Sequence, residues 1–401
     1  MNIVIFGHFA FPFGSASASR VRHISVGLTE QGHRVWVLTP LRGDPQPIRW
    51  LEYRGVAYYS IGGWLPKDPK TFANKLRTLR ILFFGADSEA AVMLEKLHRE
   101  IRVDRSIVYS GRCVGVQQAL RSCRRLGIPV VRDVVEWFEP RSFPHGWLNP
   151  AYWDTYLKDH FSLPQADGII AISRLIENRF RRMGKPVIRI PAIIDPNAWR
   201  QNGPLPSTGG AFQLTYLGDM SRRDGPFVML DAIRRVVAQG HDVAFHIVGG
   251  VGRDRIALQA RRTAERDPEL SRRVRFWGRV SDEEVRERLF RSDALIFTRM
   301  PGRAAQAAFP TRLPEYLMTG RPVISSDVGD IGEYLTNGRE IILVEPGSAA
   351  ALADGIIRLL NMPDRGAAIG QAGLRRCQEC FDYRARCAEL SRFLEDLGAT
   401  R

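Results

Sequence analysis

Short apolar runs alternate with helical patterns of apolar and polar positions from one end of the chain to the other. Such alternation is the signature of parallel sheets covered by helices. In the first half, strands are expected at 3–6, 34–39, 107–110, 130–133 and 168–172, and helices near 20–31, 86–99, 114–126 and 175–183. The pattern breaks near 191–210, where Pro191, Pro196, Pro204, Pro206, Ser207, Gly209 and Gly210 form a composition suited to a linker. It then restarts, with strands expected at 212–217, 243–248, 274–276, 294–297, 323–325 and 341–344. Helices are expected near 227–238, 256–266, 282–290, 313–319 and 349–360, and a last amphipathic helix at 383–397. The expectation is an α/β chain of two Rossmann-like parallel-sheet domains, 1–195 and 196–375, facing each other across a cleft. A C-terminal helical segment, 376–401, is expected to pack back toward the first domain. Ligands of open parallel sheets bind at the C-terminal strand ends, so chemistry is expected in the loops that follow the strands.

The length of 401 residues exceeds one ordinary domain and suits two of about 150–200 residues. With 44% hydrophobic and 25% charged residues, the composition is that of a soluble globular protein. No run of about 18 uncharged apolar residues is present to span a membrane. The N-terminus, Met1-Asn2-Ile3-Val4-Ile5-Phe6, lacks a basic flank and reads as a first buried strand rather than a signal peptide. Five cysteines, Cys113, Cys123, Cys377, Cys380 and Cys387, are an odd and sparse set. They point to a reducing, cytoplasmic setting without a disulfide framework. Cys377 and Cys380 form a lone Cys-x-x-Cys with no further ligands at zinc spacing, so no metal site is expected.

Charge changes the picture further. The net charge is +15, and only six of the 58 basic residues are lysine. Arginine favours bidentate contact with phosphate and carboxylate. Nucleic acid, an anionic membrane surface and phosphorylated small molecules are all compatible with that excess. No helix-turn-helix, zinc finger or aromatic RNA motif accompanies it, so nucleic acid is not the expected partner. The segment 67–84 mixes Lys67, Lys70, Lys75, Arg77 and Arg80 with Phe72, Leu76, Leu79 and Phe83. A basic amphipathic stretch of this kind can lie on an anionic bilayer.

The sharpest motif is Phe309-Pro310-Thr311-Arg312-Leu313-Pro314-Glu315, running on to Gly320-Arg321-Pro322-Val323. A helix starting near Pro310–Leu313 would offer free N–H groups and a positive dipole end to a diphosphate. Arg312 adds a fixed cation, and Glu315, one turn on, adds an ionised hydrogen-bond acceptor. A second segment, Gly218-Asp219-Met220-Ser221-Arg222-Arg223-Asp224-Gly225, lies between an expected strand and helix and offers phosphate-binding cations. A third, Phe276-Trp277-Gly278-Arg279-Val280, closes a strand; Ser281 and the acids after it are an ordinary helix start. In the first half, Gly14-Ser15-Ala16-Ser17 follows the first strand, where small residues let backbone N–H groups approach an anion. Arg20 stands near the start of the next helix, in reach of the same anion. At the end of another strand lie Asp133, Glu136 and Glu139, followed by the aromatics Phe143, Trp147, Tyr152, Trp153 and Tyr156. The aromatics suit a packed flap, stacking on sugars or a membrane interface. Gly249-Gly250-Val251-Gly252 is misplaced for a nicotinamide fingerprint and reads as a loop near phosphates.

Taken together, the segments from Gly218 to Gly347 resemble the donor-binding signature of glycosyltransferase family 4. The resemblance implies the GT-B fold and a retaining transfer of a hexose-type sugar from a UDP- or GDP-linked donor, with no metal required. It implies Glu315 on the ribose, Pro310, Thr311 and Arg312 at the diphosphate, and Gly278 and Val280 at the base. Gly14, Ser15, Arg20 and Gly218 are expected to border the donor, with Arg222, Arg223 or Arg312 neutralising its phosphates. The implied catalytic set is Glu136, Asp133, Arg222 and Arg312. The chain departs from the family at Ala307, where a second glutamate is usual, at Asp219 and Asp224, where an arginine and a lysine are usual, and at Val135, where many relatives carry histidine. The acceptor is expected to be a polysaccharide, a lipid-linked molecule or another glycan, handled in the cytoplasm or at the inner face of the cell membrane. A sugar-nucleotide epimerase of the same architecture is the alternative, with a basic nucleic-acid binder behind it.

Overall fold

The computed structural model describes residues 1–14, 16–39, 50–60, 87–109, 111–200, 210–250 and 254–399. The segment 67–84 and Ser15 lie outside the described residues. The chain divides into two compact units, Met1–Ile193 with Tyr383–Arg401, and Ile194–Asp382.

The first unit is built on eight strands: β1 (Asn2–Gly7), β2 (Arg34–Thr39), β3 (Leu51–Tyr53), β4 (Val56–Ser60), β5 (Arg105–Tyr109), β6 (Val130–Val134), β7 (Gly168–Ala171) and β8 (Val187–Arg189). Their order in the sheet is β3-β4-β2-β1-β5-β6-β7-β8. All neighbours are parallel except β3 and β4. Successive side chains of a strand point to opposite faces, and both faces are buried here. Ile3 and Ile5 join one core with Val21, Ile24 and Leu28 of helix Ala16–Glu30. Val4 and Phe6 join another with Leu94 and Leu97 of helix Asp87–Ile101 and Val116 and Leu120 of helix Cys113–Arg125. This double burial is why the strands read as unbroken apolar runs.

The last helix, Tyr383–Ala399, contributes Tyr383, Cys387, Leu390 and Leu394 to the first of these cores. It lies so close to helix Ala16–Glu30 that a Cβ on Gly27 would collide with the Cys387 side chain. Residue 376 itself falls in a separate helix, Ala367–Phe381, in the second unit; the chain is extended at Asp382 between the two helices. Ala367–Phe381 buries Ile369, Gly370, Gly373, Cys377, Cys380 and Phe381. That stripe of mostly small side chains lacks the large aliphatic period that marks the other helices. The β3–β4 hairpin was likewise not expected. Its turn, Arg54-Gly55, has φ of 48° and 79°, the paired positive values that a two-residue hairpin requires.

A buried ion pair crosslinks the first unit. Arg20 donates from Nε and Nη2 to both oxygens of Asp133, at 2.7 and 2.9 Å, and to the carbonyls of Pro191 and Ile190 at 2.7 and 3.1 Å. Both side chains are almost fully buried. Burial works against the charge of Arg20, but Asp133 outweighs it and the pKa is raised.

The second unit carries β9 (Phe212–Leu217), β10 (Val243–Val248), β11 (Val274–Gly278), β12 (Ala294–Phe297), β13 (Val323–Ser326) and β14 (Ile342–Val344). All are parallel, in the order β11-β10-β9-β12-β13-β14. The order reverses between β9 and β12. At such a reversal the connecting helices leave on opposite faces, which opens a crevice beyond the strand ends.

Two stability predictions arise from these contacts. Gly27→Leu should lower unfolding free energy by about 1–3 kcal/mol through overpacking. Asp133→Ala should cost about 3–5 kcal/mol by stranding a buried guanidinium. Urea unfolding monitored by circular dichroism checks both, and a loss near zero in either variant would contradict the packing described.

Candidate functional site

The reversal in the second sheet brings together the residues that follow β9 and β12. After Leu217 come Gly218 to Ser221, a short turn Arg222–Asp224, and helix Pro226–Ala238. After Phe297 come Thr298, Arg299 and Met300. The two segments are fastened together. Met300 N donates to Arg223 O at 2.8 Å, Thr298 Oγ1 donates to Asp224 O, and Arg299 pairs with the Asp224 carboxylate at 2.6 Å. The other carboxylate oxygen of Asp224 accepts from Ser221 N and Oγ, at 3.0 and 2.6 Å. Asp224 is thus a buried hub of the loop.

Arg299 was not anticipated. Burial, with Arg223 and Arg312 nearby, pushes its pKa down against the pull of Asp224. Arg312 is also largely buried, yet its pKa is raised. Burial opposes its charge, and Tyr216, Tyr316, Asp224 and Glu315 overcome that cost. Arg312 makes no ion pair among the described residues. Its guanidinium lies against Gly218, where a Cβ would clash with Arg312 Nη1 and with the Tyr216 hydroxyl. Tyr316 is fully buried, and its hydroxyl accepts from Leu217 N at 2.7 Å. The Tyr216 hydroxyl is buried beside it with no hydrogen-bond partner among the described residues. A buried hydroxyl without a partner costs free energy unless a ligand or water supplies one. Two guanidiniums and an unmet hydroxyl therefore converge at the strand reversal.

Arg312 and Glu315 lie three residues apart on one side of their helix, both half-buried, while Leu313, Pro314, Tyr316 and Leu317 are buried. The helix itself, Arg312–Leu317, is shorter than the expected 313–319 pattern extended from Pro310, and Thr311 stands outside it. So short an element supplies little dipole, and the positive charge here comes from side chains. Pro310 is buried and Thr311 exposed. Arg222 and Arg223 are both exposed on the loop surface.

Glycines let the neighbouring strand ends close in. Gly218 N donates to Val248 O at 2.7 Å, and Gly249 N to Gly278 O at 2.8 Å. A Cβ on Gly249 would strike the Gly218 carbonyl, and Gly278 has φ of 72°. Gly278 and Val280, both half-buried, thereby come to the same strand edge as Gly218.

On the first unit the expected set divides. Arg20 and Asp133 are spent on each other, so Arg20 is not an anion ligand and Asp133 is not a free acid or base; their shared burial makes them a structural pair. Glu136 is exposed two residues beyond β6, and Gly14 is exposed with φ of 127°. Tyr216 and Arg299 were missed in the sequence. Tyr216 looked like one more strand aromatic, and Arg299 gains meaning only because β12 lies beside β9 in space.

Residues 15–193 match the family described as Glycosyl transferase 4-like domain, and residues 211–362 the family described as Glycosyl transferases group 1. The chain is 24% identical over 375 residues to a glycogen synthase of Mycobacterium tuberculosis, covering 90% of this chain and 86% of the relative. It is 28% identical over 245 residues to a phosphatidyl-myo-inositol mannosyltransferase of the same species, covering 58% and 60%. Its fold is similar to that of sucrose-phosphate synthase from Thermosynechococcus elongatus, with a TM-score of 0.72 at 18% identity over 100% of both chains. It is also similar to Anabaena HepE in complex with UDP and glucose, with a TM-score of 0.69 at 16% identity over 98% of this chain and 99% of that one. With a parallel α/β sheet in each unit and a family match on each half, the chain belongs to the group 1, family-4-like glycosyltransferases of GT-B fold.

Proposed function

We propose that the enzyme is a retaining hexosyltransferase using a UDP- or GDP-linked sugar, with the donor diphosphate held by Arg299, Arg312 and the Tyr216 hydroxyl. One observation carries this reading. Among the described residues, Arg312 is a charged, largely buried guanidinium without an ion pair, set over Gly218 beside an unpartnered hydroxyl. Preorganised cations in a partly desolvated site stabilise the charge that develops on a departing diphosphate. In this reading they make a metal unnecessary. Glu315, on the same helix face as Arg312, accepts from the ribose hydroxyls, and Gly278 and Val280 line the base. Arg222 and Arg223 add exposed positive charge at the mouth of the loop, and Gly14 borders the sugar.

In a retaining transfer the leaving phosphate oxygen can take the acceptor proton as the sugar bond forms on the same face. Glu136 is then the acceptor-side carboxylate, steadying positive charge at the anomeric carbon. The acceptor is a polysaccharide or lipid-linked glycan. The relatives named as a glycogen synthase, a phosphatidyl-myo-inositol mannosyltransferase and, at 30% identity over 167 residues, the D-rhamnosyltransferase WbpZ of Pseudomonas aeruginosa support that range. The epimerase alternative is dropped, since both matched families are glycosyltransferases.

Two binding predictions follow from the assigned roles. In a thermal-shift panel of nucleosides, nucleoside diphosphates and nucleotide sugars, Glu315→Ala should abolish the shift given by the best nucleotide. An unchanged shift would remove the ribose assignment. Tyr216→Phe should leave the unliganded protein as stable or slightly more stable. It should also weaken diphosphate binding by about tenfold, roughly one hydrogen bond to a charged group, with nucleoside binding unaltered. Calorimetric titration showing equal loss for both ligands, or for neither, would refute the hydroxyl's role.

A further inference from the structure

The connection between β6 and β7 leaves an apolar surface that the donor reading does not use. It runs through the turn Gly146–Leu148, helix Pro150–Leu157 and the π-helical turn Lys158–Ser162. Its inner side is anchored to helix Cys113–Arg125. Cys113 N donates to Asp154 at 3.2 Å, and Gln117 Nε2 donates to Ser162 Oγ at 2.8 Å. Its outer side carries Trp147, Leu148, Trp153, Leu157 and Phe161, with Leu148 86% exposed and Trp147 and Phe161 more than half exposed. Trp153, Leu157 and Phe161 recur every fourth residue, and the Trp147 and Trp153 rings are 6.0 Å apart. Singly exposed apolar side chains are ordinary, whereas a continuous set marks an interaction surface.

The surrounding chemistry selects the occupant. Between Arg141 and Gln165 no exposed side chain is a carboxylate; Asp154 caps Cys113 and Asp159 is buried beside Lys158. Exposed Arg141 lies within this stretch, and exposed Arg121 and Arg124 lie on the acid-free helix beneath it. Trp153 Nε1 already donates to Trp147 O at 2.8 Å. That indole needs no outside acceptor, which suits hydrocarbon better than a sugar that must be hydrogen-bonded. A second copy would bring the same +15 charge and be repelled, whereas an anionic surface would be attracted.

We propose that this face docks the protein on an anionic bilayer, with its Trp, Phe and Leu side chains at the headgroup boundary and its arginines on lipid phosphates. The proposal does not rest on the donor assignment. The test is co-sedimentation of the full chain with phosphatidylcholine vesicles, with and without phosphatidylglycerol. The wild type should bind the anionic vesicles, and less as salt rises. The double variant Leu148→Ser, Phe161→Ser should lose about tenfold or more in partition, while Leu258→Ser, on an exposed site of the second unit, should bind as the wild type does. Trp147→Phe should still bind but lose part of the fluorescence quenching by acyl-brominated lipid. The proposal is overturned by a wild type that stays with the supernatant, or by a double variant that binds undiminished. A lipid-free dimer abolished by the double variant would overturn it too.

Discussion

The second unit is organised around a close approach that only glycine permits. At Gly218 the chain leaves β9 with no side chain, and the space is filled by the Arg312 guanidinium and the Tyr216 hydroxyl. A cation is kept there because the tyrosines, Asp224 and Glu315 outweigh the cost of burial. Tyr316, hydrogen-bonded to Leu217 N, ties the helix that carries Arg312 to the end of the strand that carries Gly218. Position, charge and partial desolvation of the guanidinium are thus set by the sheet and not by a flexible loop, and electrostatic catalysis depends on such preorganisation.

The departures from the family pattern make sense around that point. Asp224, where the resemblance implies a cation, faces inward and binds Ser221 and Arg299. The carboxylate is the internal counter-ion of an arginine from the neighbouring strand end. Positive charge at the strand reversal comes from Arg299 and Arg312. A buried pair also organises the first unit. Asp133, at the end of β6, is consumed by Arg20, and the pair fixes helix Ala16–Glu30 to the carbonyls of Ile190 and Pro191. Glu136, three residues on, is exposed at that strand end.

Much of the fold was legible because double burial writes strands as apolar runs: β2, β9, β10 and β12 lie where the pattern put them. Elements without that signature escaped. The β3–β4 hairpin depends on two positive φ values, and Ala367–Phe381 packs through glycine and cysteine. Of the candidate site, Glu315, Arg312 and Gly218 were readable because a motif keeps them at fixed spacing. Arg299 and Tyr216 were not, because a strand adjacency brings the one there and only burial of its hydroxyl marks the other. Arg20 and Asp133, 113 residues apart, could not be recognised as partners from chain position alone.

The most direct measurement is hydrogen–deuterium exchange of the full chain with and without a saturating nucleoside diphosphate. The account predicts slowed exchange in 216–225, 278–280, 298–300 and 310–317, with little change elsewhere in the second unit. Protection confined to other segments, with those four unaltered, would contradict it.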